Sequence, residues 1–288
     1  MQQNRYADIT ASVKPEMERF EKELEALVLD NRNELCKDIL EFLKAPSKRI
    51  RPVLMFLTLK ALAAEISDEH YKVALATELL HSATLIHDDI IDCASERRKK
   101  ECLHKKFDTK LAVVAGDYFL SLALKTLAEL EQPQIFKIFS GNVLKICSGE
   151  ISQYFKRYKV PSIEEYLEKS KNKTALLFLC AVKSALTVSE TESPMLEEFA
   201  LNFGTAFQIA NDLKSDTDSD NGIYTLPYVL YFQNNPAYDI MNLDVNSYTE
   251  AKSLARSFLN EFIDGIMRDI SSPDNKALMA LCESLKEK

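Results

Sequence analysis

An all-α fold follows from three features of the chain. Only 6 glycines and 9 prolines punctuate its 288 residues. Between them, residues facing one way recur at helical spacing, as in Leu75, Leu79, Ser82 and Ile86. No segment shows the alternation of apolar and polar residues that marks a half-buried strand. A linker rich in Gly or Ser, a low-complexity tract and a short repeat are all absent from the sequence. Residues 1–288 are therefore expected to form one helical domain.

Taken in order, residues 1–44 predict one or two amphipathic helices. Ala45-Pro46-Ser47 interrupts them, and Pro52 suits the first turn of the next helix. That helical pattern runs to about Ile91. The segment 93–110 is dense in charge and is expected to loop between helices. Leu111–Leu130 is apolar and helical, closed by Gln132-Pro133. Further helices are expected near 134–158, 162–187, 194–216 and 225–233, with two more between 247 and 286. Asp218-Ser219-Asp220-Asn221-Gly222 has the composition of a loop.

A formal net charge of −8 argues against a general nucleic-acid binder. The cations are nevertheless clustered: Lys48, Arg49 and Arg51 form one group, and Arg97, Arg98, Lys99, Lys100, Lys105 and Lys106 another. Positive patches on an acidic chain point to a small anionic ligand, although a solvated face accounts equally well for Lys99, Lys100, Lys105 and Lys106. The 6 cysteines show neither a C-x-x-C pair nor finger spacing. Residues 1–30 are too charged for a signal peptide, and no uncharged apolar run approaches the ~20 residues that span a bilayer. Reduced thiols in the cytoplasm, without stable membrane insertion, are the expectation.

The most chemical segment is His-Asp-Asp-Ile-Ile-Asp at 87–92. On a helix, Asp88 and Asp92 stack on one face, with Asp89 beside them. Clustered carboxylates resist joint ionisation unless a cation compensates, and hard oxygen ligands at this spacing suit Mg²⁺ shared with substrate phosphates. Leu85, Ile86, Ile90 and Ile91 surround them with apolar sequence, which disfavours a merely solvated face. A second segment, Asn-Asp-Leu-Lys-Ser-Asp at 211–216, looks like a damaged copy of the first. His87 and His104 read as structural, and Asp117 as a buried capping or pairing residue. His81 alone fits a core or surface histidine, while Gln153 and Gln208 fit structural hydrogen bonding as readily as chemistry.

Together, several motifs resemble the polyprenyl synthetase family, the trans-isoprenyl diphosphate synthases. They are Lys48-Arg49-Ile50-Arg51-Pro52, His81, Asp88-Asp89-Ile90-Ile91-Asp92, Arg97-Arg98, His104, Gly116-Asp117, Gly149-Glu150-Ile151-Ser152-Gln153, Lys173-Thr174, Phe207-Gln208 and Thr225-Leu226-Pro227. Order and spacing match over roughly residues 45–230. The resemblance implies a helical bundle around a deep central cavity. It also implies a reaction in which an allylic diphosphate ionises, isopentenyl diphosphate attacks the cation, and a proton is lost.

By that resemblance, Asp88 and Asp92 hold Mg²⁺ against the allylic diphosphate, and Asp212 is the remaining metal carboxylate of the second segment. Arg97 and Lys173 contact the allylic diphosphate. Lys48, Arg51, His81 and Arg98 match the isopentenyl diphosphate pocket. Thr174 and Gln208 match polar groups whose oxygens face the developing cation. Family members are usually homodimers. The residues five and four before Asp88 are Ala83 and Thr84, whose small size implies a product of C20 or longer.

The chain also departs from the family. Its second motif, Asp-Asp-x-x-Asp, falls on Asn211, Asp212, Leu213, Lys214 and Ser215, so only Asp212 survives. The nearby family lysine falls on Ile223. Pro46-Ser47 replaces the usual glycine pair, and Lys99 the glycine after the arginines. Asp216, Asp218 or Asp220 are candidate substitutes. Two other readings stay open. Asn211 and Ser215 reproduce the start of a class I terpene cyclase motif whose third position falls on Ser219, and a non-catalytic subunit of a heteromeric synthase is the third possibility.

Overall fold

Alternation of apolar and polar residues with a helical period yields helices wherever it occurs. The computed structural model describes residues 2–30, 34–98, 100–214, 222–235 and 245–286. Among these are α1 (Gln2–Thr10), α2 (Lys14–Asp30), α3 (Cys36–Lys44), α4 (Ile50–Ala61), α5 (Asp68–Ile91), α6 (Leu103–Lys106) and α7 (Thr109–Ala128). There follow α8 (Pro133–Phe155), α9 (Ile163–Ser170), α10 (Leu176–Val188), α11 (Pro194–Asp212), α12 (Leu226–Asn234), α13 (Val245–Asp269) and α14 (Lys276–Lys286). Lys99 and residues 215–221 lie outside the described residues. That removes from view most of the expected 218–222 loop, the end of the helix expected to reach 216, Ser215, Ser219 and the candidate substitutes Asp216, Asp218 and Asp220.

The all-α expectation holds, with local differences. The pattern expected to run unbroken to Ile91 stops between α4 and α5, where Ser67 caps α5 with His70 at the third helical position. The charged 93–110 segment is not wholly loop. It contains a two-stranded hairpin, β1 (Glu96–Arg97) with β2 (Lys100–Glu101), whose turn places Arg98 at φ 53°. A tight hairpin turn needs positive φ, which explains the left-handed arginine. The helix expected over 162–187 is interrupted by a π segment, Lys171–Ala175, between α9 and α10. Such single-turn bulges are frequent at functional sites.

Two compact units are present. One comprises the described residues of Thr10–Ile138 and Lys183–Glu192. Its core includes Leu54, Phe56, Leu79 and Phe119. Helix α5 buries Leu75, Leu79, Ser82 and Ile86, the stripe read from the sequence. It lies along α7, where Gly116 is necessary because a Cβ there would overlap the His87 ring. His87 Nε2 also approaches the Val113 carbonyl (3.4 Å) and Asp117 (3.5 Å), which makes it structural as expected. Asp117 is exposed rather than buried, because its side chain lies on the outer face of α7. By length and composition α7 could cross a membrane, with 44% of its apolar window buried inside the protein.

The other unit comprises the described residues of Met1–Ile9, Phe139–Val182 and Ser193–Lys288. An aromatic cluster of Phe178, Phe199, Phe203 and Phe207 packs α11 against α10, with Phe178 and Phe203 edge to face at 5.4 Å. Gly204 permits a close crossing at this point. A Cβ there would lie 2.6 Å from the Ala175 Cα of the π segment. Helix α11 therefore runs directly over residues 171–175.

Candidate active site

Helix α5 ends in its carboxylates. Asp88 occupies the last turn and Asp92 the C-cap, whose amide still donates to the Asp88 carbonyl at 2.8 Å. The helix dipole places partial negative charge at this end, where a bound cation is favoured. Two carboxylates one turn apart suit Mg²⁺, which keeps waters and takes phosphate oxygens for the remainder. No cluster of three or more ligating side chains occurs among the described residues.

Asp89 does not stand beside its neighbours. One residue further along a helix is a turn of about 100°, and adjacent residues do not share a face. Asp89 is 3% exposed and accepts from Arg97 Nε at 2.6 Å, with the second Arg97 nitrogen also paired to it. Burial, reinforced by Asp89, pushes the neighbouring Cys102 thiol up to about 12, so that thiol is unreactive at neutral pH. In this structure, then, Arg97 is anchored on Asp89.

Three turns back along α5, a cationic cluster forms. Arg49 precedes α4 in left-handed conformation, φ 45°. Its guanidinium donates to Glu78 Oε1 (2.8 Å), Glu21 Oε1 (2.8 Å) and the Leu43 carbonyl (2.6 Å). These three acceptors hold a backbone conformation that would otherwise be unfavourable. Arg51 is buried, and burial lowers it to about 10 against the pull of Glu78, with the charge of Arg98 adding to the fall. Burial also lowers Arg98, which Glu78 partly offsets. His81 is held well below the usual histidine range, first by burial and then by Arg51, Arg98, Arg97 and Arg49, so its ring is neutral near pH 7. Arg51, His81 and Arg98 are thus brought together as the sequence suggested, and Lys48 lies at the surface beside Arg49. A cavity of about 300 Å³ adjoins this region, lined in part by Asp89, Arg97, Arg98 and Cys102.

In the other unit a chain of hydrogen bonds joins four polar residues. The Thr174 hydroxyl donates to Gln208 Oε1 (2.5 Å), and Gln208 Nε2 donates to Asp212 Oδ1 (2.6 Å). The Tyr166 hydroxyl donates to Asp212 Oδ2 (2.7 Å). Asp212, the carboxylate expected at a metal, therefore has both oxygens engaged. Lys173, in the π segment, pairs with Glu150 at 3.1 Å, and Gln153 donates to the same carboxylate at 3.3 Å. His104, read as structural, has both ring nitrogens buried without a hydrogen-bond partner among the described residues.

Two contributors were not evident from sequence. Glu78 could have been suspected, since it is a carboxylate within the apolar run Val73–Leu80 and one turn before His81. Tyr166 gave no signal, because a tyrosine at helical spacing ordinarily reads as core.

Comparison with known proteins bears on the family. Residues 33–253 match the family described as Polyprenyl synthetase. The chain is 33% identical to solanesyl-diphosphate synthase 2, chloroplastic, of Oryza sativa subsp. japonica, over 73% of this chain and 57% of that protein. It therefore spans little more than half of that relative. It is 31% identical to heptaprenyl diphosphate synthase component 2 of Bacillus subtilis, over 93% of this chain and 79% of that protein. The crystal structure of polyprenyl synthase from Caulobacter crescentus, complexed with calcium and isoprenyl diphosphate, shares the fold. Its TM-score is 0.81 at 21% identity, covering 99% of this chain and 97% of that one.

Removing Glu78 leaves the buried Arg49 guanidinium with one carboxylate, the more exposed Glu21, and the Leu43 carbonyl. Glu78→Ala is expected to destabilise the fold by about 3 kcal/mol, read as a lower midpoint in urea unfolding. An unchanged midpoint would show that Arg49 is adequately held by Glu21 and the Leu43 carbonyl alone.

Proposed function

The chain belongs to the polyprenyl synthetase family, and on that premise we propose that it is a trans-isoprenyl diphosphate synthase. In this reading it condenses an allylic diphosphate with isopentenyl diphosphate to a product of C20 or longer, within one catalytic domain. The observation that carries it is the pairing of a carboxylate end of α5, at Asp88 and Asp92, with a cation-rich group formed by Arg51 of α4 and Arg98 of the hairpin turn around His81 of α5. One binds a cation with its diphosphate; the other binds a metal-free anion.

Mg²⁺ would be held by Asp88 and Asp92, and when bound it supplies positive charge to the departing diphosphate. Arg97 adds fixed charge to that group, which requires it to leave or share Asp89; Lys173, the other lysine or arginine matched to an allylic diphosphate, would likewise have to leave or share Glu150. Lys48, Arg51 and Arg98 grip isopentenyl diphosphate. His81, kept neutral, can hydrogen-bond that diphosphate without adding a further buried charge. Thr174 and Gln208 turn oxygen lone pairs toward the allylic cation, from which water must be excluded because it would trap that cation. Ala83 is buried on α5 and Thr84 turns its hydroxyl onto the His81 carbonyl at 2.8 Å, so neither presents bulk to a growing chain.

A homodimer fits the exposed apolar residues. On α8, Leu144 (69% exposed), Ile151 (61%) and Phe155 (77%) fall on one face. Faces this apolar on a surface mark interaction sites. All 6 cysteines are free thiols, which suits the cytoplasm. The Bacillus relative is named as a component, so a heteromeric partner is the alternative that the assay below also tests.

Purified protein with farnesyl diphosphate, labelled isopentenyl diphosphate and Mg²⁺ is expected to yield elongated diphosphates. Cyclic hydrocarbon from farnesyl diphosphate alone, or no product without an added second component, would overturn the proposal. Asp88→Ala should lower kcat at least ~10²-fold; near-normal turnover would remove Asp88 from the metal site. Ala83→Phe should shorten the product, and an unaltered product distribution would place the chain-length wall elsewhere. Phe155→Asp should convert a dimer to a monomer in sedimentation velocity; a persistent dimer would rule out the α8 face.

A further inference from the structure

The second acidic segment retains one carboxylate, and its surroundings are those of an anchor. Asp212 is buried. Its two oxygens are taken by donors of different kinds, the Gln208 amide and the Tyr166 hydroxyl. Gly204, Gln208 and Asp212 succeed one another at intervals of four, so they form one stripe along α11. At the first of these, the missing Cβ lets the helix cross the π segment closely. One turn on, Gln208 reaches Thr174; a further turn on, Asp212 holds Gln208.

The direction of the chain is fixed by chemistry. A carboxylate only accepts, so Asp212 obliges Gln208 to present its NH₂ group. The amide oxygen must then face Thr174, whose hydroxyl donates to it. Tyr166 completes the arrangement as a donor, and burial followed by the charge of Asp212 keeps its hydroxyl protonated. Without the carboxylate, the amide could turn over and bring N–H groups, rather than oxygen, to the Thr174 side.

We propose that Asp212 and Tyr166 are positioning residues that fix the Gln208 amide against Thr174, and that Asp212 is not a metal ligand in this chain. This rests on the reading above, in which Thr174 and Gln208 face the allylic cation. Replacement of the carboxylate at Asn211 leaves this function of Asp212 intact, since the chain runs through Tyr166, Asp212, Gln208 and Thr174.

Asp212→Asn and Tyr166→Phe separate the alternatives. An asparagine at 212 offers NH₂ to one of two donors and so forces either Gln208 or the Tyr166 hydroxyl to turn. Both variants are expected to lose about tenfold in kcat, the scale of one hydrogen bond, with KM for farnesyl diphosphate within about twofold. Both should also release more prenyl alcohol relative to elongated product, which a merely structural loss would not do. Mn²⁺ binding in the presence of inorganic diphosphate, read by electron paramagnetic resonance, should be unchanged in Asp212→Asn. Weakened Mn²⁺ binding in that variant, or full kcat in Tyr166→Phe, overturns this proposal while leaving the synthase reading standing. Wild-type protein that fails to elongate overturns the synthase reading, and the proposal with it.

Discussion

A buried guanidinium sets the terms for the cationic half of the site. Arg49 enters the interior only because Glu78, Glu21 and the Leu43 carbonyl accept its protons. Charge taken from water without such partners costs more than the fold can return. Once Arg49 is fixed, the left-handed turn before α4 is fixed too, and with it the start of the helix that buries Arg51. Glu78 is the carboxylate that Arg49, Arg51 and Arg98 all feel.

Helix α5 carries this logic along its length. Glu78, His81, Thr84, Asp88 and Asp92 lie three or four residues apart and so follow one face. The cation-rich region lies toward its middle and the carboxylates at its negative dipole end. One element therefore sets the separation between the cation-rich group and the pair of carboxylates. Its packing on α7 through Gly116 and His87 keeps that element straight and in register. Asp89, rotated off the face, is used instead to hold Arg97.

The other unit works by a different device. A π turn displaces Lys173 and Thr174 from regular helical positions, and a glycine crossing brings α11 close enough for Gln208 to meet Thr174. Here polar groups are arranged by mutual hydrogen bonding in a buried setting, where each bond is electrostatically stronger and each unmet group more costly. The altered second motif fits this setting, because the carboxylate it keeps is the one the network uses.

Much was legible in the residues themselves. Helical periodicity gave the all-α class and most helix positions, since the burial of one stripe is enforced by local geometry. Spacing gave Asp88 with Asp92, because a helix turns by a fixed angle. Composition did not reveal the hairpin at Arg97 and Lys100, which forms from two residues on each side and has no room for a pattern. Nor did spacing reveal Glu78 as the partner of Arg49, the inward turn of Asp89 to Arg97, or the bond from Tyr166 to Asp212. Those pairs are separated by 29, 8 and 46 residues, and chain distance carries no information about which charges meet. The sequence alone determined the elements and the chemical groups each one bears. Tertiary structure decided which groups neutralise one another and which remain to bind a ligand, because that balance depends on burial and on partners brought from elsewhere in the chain.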